Sequence, residues 1–283
     1  MSQPAAPRKS PFGADLAPRA ASGAVLIALA LAVTYWGGPV FAMFWLVAFG
    51  AILWEWLRML AGGRGWARVP TTLGWAALAL AAVFSWFGLW SVAAMAVAGA
   101  AALIALLAPG RGGERALAGA GALYAGLPMI AVIALRGGSP EGAAAMFWLY
   151  AVVWATDIGA YFVGRSVGGP KLWPSISPGK TWSGAAGGTV LGALAGLALA
   201  GSTNDIYVLG ALGFGASLAS QAGDLFESAL KRRFGVKDSS ALIPGHGGVM
   251  DRLDGFAAAA VLAAIVAGVN SEGGNLGAGL FLW

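Results

Sequence analysis

The sequence predicts an all-α, polytopic membrane fold, and three observations carry that expectation. Long apolar stretches recur along the whole chain. Only 10% of the residues are Asp, Glu, Lys or Arg, against 59% hydrophobic. Soluble domains carry roughly 25% charged residues, so this chain could not clothe a water-facing surface. Finally, the basic residues gather in alternate connections between the apolar stretches, as the positive-inside rule requires.

Residues 1–19 are polar, proline-containing and basic, and read as a short disordered tail. No small-residue cleavage site with a polar mature domain follows the first apolar run, which reads as a retained span. Segments of about 17–25 apolar residues are long enough to cross a bilayer as helices. Nine are present: about 20–36, 39–61, 69–88, 90–108, 116–135, 142–164, 184–201, 205–224 and 255–271.

Charge placement fixes the expected topology. With the N-terminus inside, the cytoplasmic segments hold every one of the 17 Lys and Arg residues except Arg136. Gly88 makes a weak break between the third and fourth stretches, but fusing them would put the basic loops on opposite sides. The expectation is therefore about nine transmembrane helices, N-terminus cytoplasmic and C-terminus outside. They form one membrane-embedded domain over 20–283, with N-terminal helices at 20–135 and a second half at 142–271. That half carries two cytoplasmic loops, 165–182 and 231–254, rich in the Gly, Pro and Ser that favour turns.

Composition narrows the chemistry. There are no cysteines, so disulfides and thiol catalysis are excluded. The 45 glycines suit helices that approach closely in lipid. The 13 Trp and 13 Phe read as lipid-facing or interfacial residues rather than base-stacking boxes, so no nucleic-acid partner is expected. No repeat recurs at a fixed period.

Charge is concentrated between Ser217 and Asp254, where most of the surrounding chain is Ala, Leu, Gly and Val. Such a concentration in a membrane protein marks the handling of a charged ligand. Asp224, Glu227, Ser228 and Lys231 are spaced i, i+3, i+4 and i+7, and so share a helical face. Carboxylates there can hold a hard divalent cation such as Mg2+. Glu227 with Lys231 is equally an ordinary surface helix pair.

Downstream, Pro244-Gly245-His246-Gly247-Gly248 is a turn whose backbone can approach a ligand and expose N–H groups to phosphate. Asp251 and Asp254 follow at i and i+3 on a helix start. They can complete a metal site with Asp224, or simply favour the helix dipole. His246, the single histidine, can act as an acid, a phosphate donor or a turn support. Lys231, Arg232, Arg233 and Lys237 fit a polyphosphate site, or an anchor to anionic lipid. In the other loop, Arg165 follows Asp157 and Tyr161 on one face, with Lys180 after a Ser-Pro-Gly turn. Either Asp157 and Arg165 neutralise each other, or Arg165 and Lys180 bind a lipid phosphate. Glu55, at the cytoplasmic end of the second span, is expected to pair with a neighbouring cation and is assigned no chemistry.

These residues carry a resemblance. Ser228-Ala-Leu-Lys231-Arg232, Lys237-Asp238 and Pro244-Gly-His-Gly-Gly-Val-Met-Asp251-Arg252-Leu253-Asp254 resemble the signature of the phosphatidate cytidylyltransferases (CDP-diacylglycerol synthases). Asp157-Ile-Gly-Ala-Tyr161-Phe-Val-Gly-Arg165 and Ser175-Ile-Ser-Pro178-Gly-Lys180-Thr181 are similar to that family too. The N-terminal half resembles it in topology and composition alone, and Ser183 stands where the family usually carries an acid.

The resemblance implies a Mg2+-dependent membrane enzyme joining CTP to phosphatidate, giving CDP-diacylglycerol and pyrophosphate, with 142–271 as its catalytic half. Asp224 and Asp251 are the implied metal carboxylates, with Glu227 and Asp254 as further candidates and room for a second metal or a monovalent cation. Lys231 and Arg232 join Asp224 and Asp251 as catalytic candidates. Ser228, Lys237, Asp238, His246, Gly247, Gly248, Arg252, Arg165 and Lys180 are the substrate-binding candidates. The expected setting is a bacterial inner membrane, with the site facing the cytoplasm and a homodimer as one possible assembly. The alternatives are a CTP-dependent enzyme acting on another lipid phosphate or a lipid alcohol, and an ion-coupled transporter.

Overall fold

All nine apolar segments coincide with helices in the computed structural model, which describes residues 16–199, 206–271 and 274–282. They are α1 (Leu16–Trp36), α2 (Gly38–Ala61), α3 (Arg68–Trp86), α4 (Trp90–Leu107), α5 (Gly112–Arg136), α6 (Pro140–Val167), α7 (Trp182–Ala198), α8 (Ile206–Arg233) and α9 (Met250–Asn270). A single turn, α10 (Leu276–Gly279), follows. Most of the expected N-terminal tail lies outside the described residues.

Seven of these helices are long and apolar enough to cross a membrane: α2 to α6, α8 and α9. The chain is thus an all-α polytopic membrane protein, with seven such helices among the described residues where nine crossings were expected. The count leaves out α1, whose apolar part is described over Ala21–Trp36, and α7, which at 17 residues and about 26 Å lies at the short end of the range that spans the hydrocarbon core.

Helix ends depart from the hydropathy reading most where charge is densest. Helix α8 runs on to Arg233 and α9 begins at Met250, so both enter the expected 231–254 loop. The expected 165–182 loop is likewise ordered. Helix α6 continues to Val167, and an antiparallel hairpin follows, β1 (Lys171–Trp173) with β2 (Ser177–Thr181), pairing Lys171 with Thr181 and Trp173 with Ser177. The Thr181 side chain then accepts from the Gly184 N–H and caps α7.

Small residues set how closely the second half packs. On α7, Gly184, Gly188, Gly192 and Gly196 recur every fourth position and are all buried. A Cβ on Gly184 would lie 2.7 Å from the Ala160 carbonyl oxygen, and one on Gly188 would lie 2.7 Å from that of Thr156. Backbones of α6 and α7 therefore touch directly, the close approach that small-xxx-small faces permit in lipid. Thr156 seals the junction by donating to the Ser217 hydroxyl of α8 at 2.7 Å.

The α8–α9 crossing positions the charged residues. A Cβ on Gly223 would sit 2.5 Å from the Asp254 carbonyl oxygen, and one on Gly255 would meet the Ser220 hydroxyl at 2.5 Å. This contact lies beside Asp224 and Asp254, so it brings acidic residues of the two helices near each other. The main apolar core sits behind them, where Trp45 of α2 stacks on Phe256 of α9 at 4.9 Å. At the other end of the bundle the buried Arg136 donates to the backbone carbonyls of Thr34, Tyr35, Gly137 and Ser139, tying α5 to the end of α1.

Candidate active site

A cavity of about 1330 Å³ opens where the hairpin, α8 and α9 meet α1, α2 and α6. Its polar end is lined by Asp157, Arg165, Lys171, Lys180, Asp224, Glu227, Lys231, His246, Asp251, Arg252 and Asp254. Its apolar side is lined by Leu26, Ile27 and Leu29 of α1, Phe44 and Val47 of α2, and Val153 and Trp154 of α6.

Two ammonium groups organise the carboxylates. Lys231 Nζ lies 2.6 Å from Glu227 Oε2 on its own helix and 2.7 Å from Asp251 Oδ1 on α9. Glu227 and Asp251 are nearly inaccessible, so this triad is an internal bridge rather than a surface pair. Lys180 Nζ of the hairpin lies 2.6 Å from Asp224 Oδ2, while Asp224 Oδ1 accepts from Ser228 Oγ at 3.4 Å. The Asp224 side chain remains 37% exposed, open to a ligand entering the cavity.

Asp251 is held from several directions. Its Oδ2 accepts from the backbone N–H of Gly248 at 2.7 Å and of Ser239 at 3.0 Å, and from the Ser239 hydroxyl at 3.0 Å. The N–H of Gly248, expected to be free for phosphate, is therefore committed within the chain. Gly247 has φ +84°, and a Cβ there would meet Asp251 Oδ2 at 2.7 Å, so the glycines shape the turn around this carboxylate.

Other predicted residues are placed differently. Arg232 donates to the carbonyls of Ile176 and Val236, both at 3.3 Å, joining α8 to the hairpin turn rather than lining the cavity. Ser228, Lys237, Asp238, Gly247 and Gly248 also stand outside the lining. His246 lies on it, its Nδ1 2.8 Å from the Ser22 hydroxyl of α1, while its carbonyl accepts from Arg252 Nη2 at 2.7 Å. Arg165 donates to the Tyr161 hydroxyl at 3.3 Å, and among the described residues no ion pair joins it to Asp157. Ser183 donates to the Gly168 carbonyl and so helps close the hairpin.

The reading of Glu55 requires correction. It is fully buried, and no Lys or Arg pairs with it among the described residues. Its partners are the N–H groups of Val249 and Met250 and the hydroxyls of Ser239 and Ser240. The cation expectation failed because a carboxylate can be satisfied by a helix N-terminus as well as by an ion. Lys171 and Gln221 also line the cavity without having been singled out.

Five carboxylates line one cavity, all oxygen donors of the kind a hard cation takes, yet no three converge on a ready-made metal position among the described residues. That donor set fits Mg2+ as it usually binds in nucleotide sites, through one or two carboxylates with phosphates and water completing the shell.

Comparison with known proteins matches this architecture. A model of the cytidylyltransferase family covers residues 17–269. A phosphatidate cytidylyltransferase of Brucella suis biovar 1 is 37% identical over 260 residues, spanning 91% of this chain and 95% of that protein. That of Bacillus subtilis is 45% identical over 139 residues, 48% of this chain and 51% of its own length. That of Staphylococcus aureus strain COL is 44% identical over 119 residues, 41% and 46% respectively. With the family model and the Brucella relative both running through nearly all the described helices, the chain belongs to the cytidylyltransferase family.

Proposed function

We propose that the protein transfers the cytidylyl group of CTP to phosphatidate, releasing pyrophosphate and leaving CDP-diacylglycerol in the membrane. Beyond family membership, one observation carries the reading. A single cavity joins a cluster of Lys, Arg and carboxylates to an apolar wall built by α1, α2 and α6. A substrate with an anionic head and acyl tails needs both surfaces in one continuous space.

A phosphatidate oxygen attacks the α-phosphorus of CTP, forming a new phosphoanhydride bond as the bond to the β-phosphate oxygen breaks. The nucleophile is already anionic, so no strong general base is required. What the protein must do is hold two polyanions together and stabilise charge on the departing pyrophosphate. Mg2+, when bound, supplies charge neutralisation at the transferring and leaving phosphates. Asp224 is an accessible carboxylate that would hold it, and Asp251 faces the same cavity from α9.

Lys180 pairs with Asp224 at the cavity, and its ammonium is the kind of group that binds a substrate phosphate as a point charge. Arg165, Lys171 and Arg252 line the same cavity. The anionic lipid head is read as sitting by Lys180 and Arg165, its acyl chains along Leu26, Ile27 and Phe44.

In the same reading nine helices cross a bacterial inner membrane, including α1 and α7, with the N-terminus and the cavity mouth on the cytoplasmic side where CTP is found. Both charge-bearing loops fall on the side richest in Lys and Arg, which supports that orientation. The groups named here all line one chain's cavity. The ion-coupled transporter fits less well, since the acids sit on unbroken helices rather than on broken ones at mid-membrane.

The test is purification in detergent and conversion of labelled CTP to a lipid-soluble product, with phosphatidate and Mg2+ each present or withheld. The reading expects product when both are supplied. Product from another lipid phosphate but not from phosphatidate would reassign the substrate, and none from any lipid phosphate would remove the activity.

A further inference from the structure

We infer that Glu55 of α2 is a positioning residue for the site, setting the start of α9 and through it the Asp251 carboxylate. The inference deepens the proposed transfer reaction and rests on it for its catalytic consequence.

Glu55 is fully buried, and both of its oxygens are fully used. Oε1 accepts from Ser240 Oγ at 2.6 Å and from the Val249 N–H at 2.8 Å. Oε2 accepts from the Met250 N–H at 2.7 Å and from Ser239 Oγ at 3.3 Å. Two backbone N–H groups and the Ser240 hydroxyl hold the carboxylate, and the single Ser239 hydroxyl proton is shared between it and Asp251, so Glu55 faces the chain's own donors and is absent from the cavity lining.

The start of α9 explains why such a group is there. Val249 is the residue preceding the helix, and its side chain cannot cap. Glu55 satisfies two of the orphan N–H groups from another helix, and its charge lies against the positive end of α9. A local Ser or Asp would cap the helix without burying a charge drawn from α2. What the remote carboxylate adds is a fixed position for the 239–251 segment relative to the N-terminal helices.

Ser239 connects this anchor to the reacting face. Its hydroxyl lies 3.0 Å from Asp251 Oδ2 as well as 3.3 Å from Glu55 Oε2, and its N–H donates to Asp251. Gly248 packs into the same place: a Cβ there would strike both the Ser239 hydroxyl and the Glu55 carboxylate. The turn is moulded around Glu55, and Asp251 and Lys231 take their mutual position from it.

The experiment compares the wild-type protein with Glu55→Gln and Ser239→Ala, using amide hydrogen exchange, thermal melting and the Mg2+ dependence of CDP-lipid formation. Glutamine keeps the size but turns an NH2 group toward a backbone donor. The expected result is faster exchange confined to the 239–252 segment in both variants, with helices α3 to α5 unchanged. The Mg2+ concentration giving half-maximal rate should rise about tenfold, the usual consequence of loosening a ligand's support.

Unchanged exchange in 239–252 would overturn the inference. So would a large loss of melting temperature with exchange raised along the whole chain, since Glu55 would then be a general support of the fold. A wild-type protein that makes no CDP-lipid at any Mg2+ concentration contradicts the proposed reaction instead, and the exchange comparison still decides whether Glu55 positions the segment.

Discussion

Asp251 shows how many partners one carboxylate at the cavity can gather. It receives the Lys231 ammonium, two backbone N–H groups and the Ser239 hydroxyl, while its helix faces the cavity. Asp251→Asn removes the charge that answers Lys231 and turns an amide NH2 toward existing donors. Cytidylyl transfer should fall about a hundredfold or more, the scale seen when a group stabilising transition-state charge is lost. Activity within a few-fold of wild type would remove Asp251 from the site. Lys180 makes a different prediction. Truncation to alanine takes one charge-assisted contact from the lipid phosphate and should raise the KM for phosphatidate about tenfold. An unchanged KM in steady-state assays would separate Lys180 from the lipid head. The acids and cations that line the cavity, Lys171 aside, were legible in the sequence because charge is rare in this chain. Glu55 was not legible as an anchor, because its partners are backbone N–H groups nearly 200 residues away that carry no sequence signal.

Among the elements, the apolar helices were readable because length and hydropathy report directly on what lipid tolerates. Their ends were not. The last turns of α8 and the first of α9 look like polar loop to any hydropathy reading, yet they are helical because Lys231 answers Glu227 and Asp251 across the crossing. The hairpin was equally hidden, since Gly, Pro and Ser announce a turn without saying what it joins. Packing of α7 offers a clean test. Gly188→Leu must force α6 and α7 apart, because a Cβ already meets the Thr156 carbonyl oxygen at 2.7 Å. It should cost about 1–3 kcal/mol and lower the melting temperature in detergent. Gly99→Leu on α4, where a Cβ meets nothing within 4 Å, should melt like the wild type. Equal melting of the two variants would contradict the close α6–α7 contact.

For the whole molecule, the proposed orientation can be read with single cysteines, since the chain has none of its own. In sealed right-side-out vesicles an impermeant thiol reagent should label Gly138→Cys and spare Lys237→Cys; the reverse pattern would invert the topology. In the proposed reaction an anionic nucleophile and a nucleoside triphosphate meet in one cavity lined by both charged and apolar residues. Which bond of CTP is broken is read from the fate of phosphorus label supplied at either the α or the γ position, with phosphatidate and Mg2+ present. Cytidylyl transfer predicts that α label enters the lipid fraction while γ label leaves as pyrophosphate. Label from the γ position in the lipid fraction would mean phosphoryl transfer, and would contradict the mechanism derived from this site.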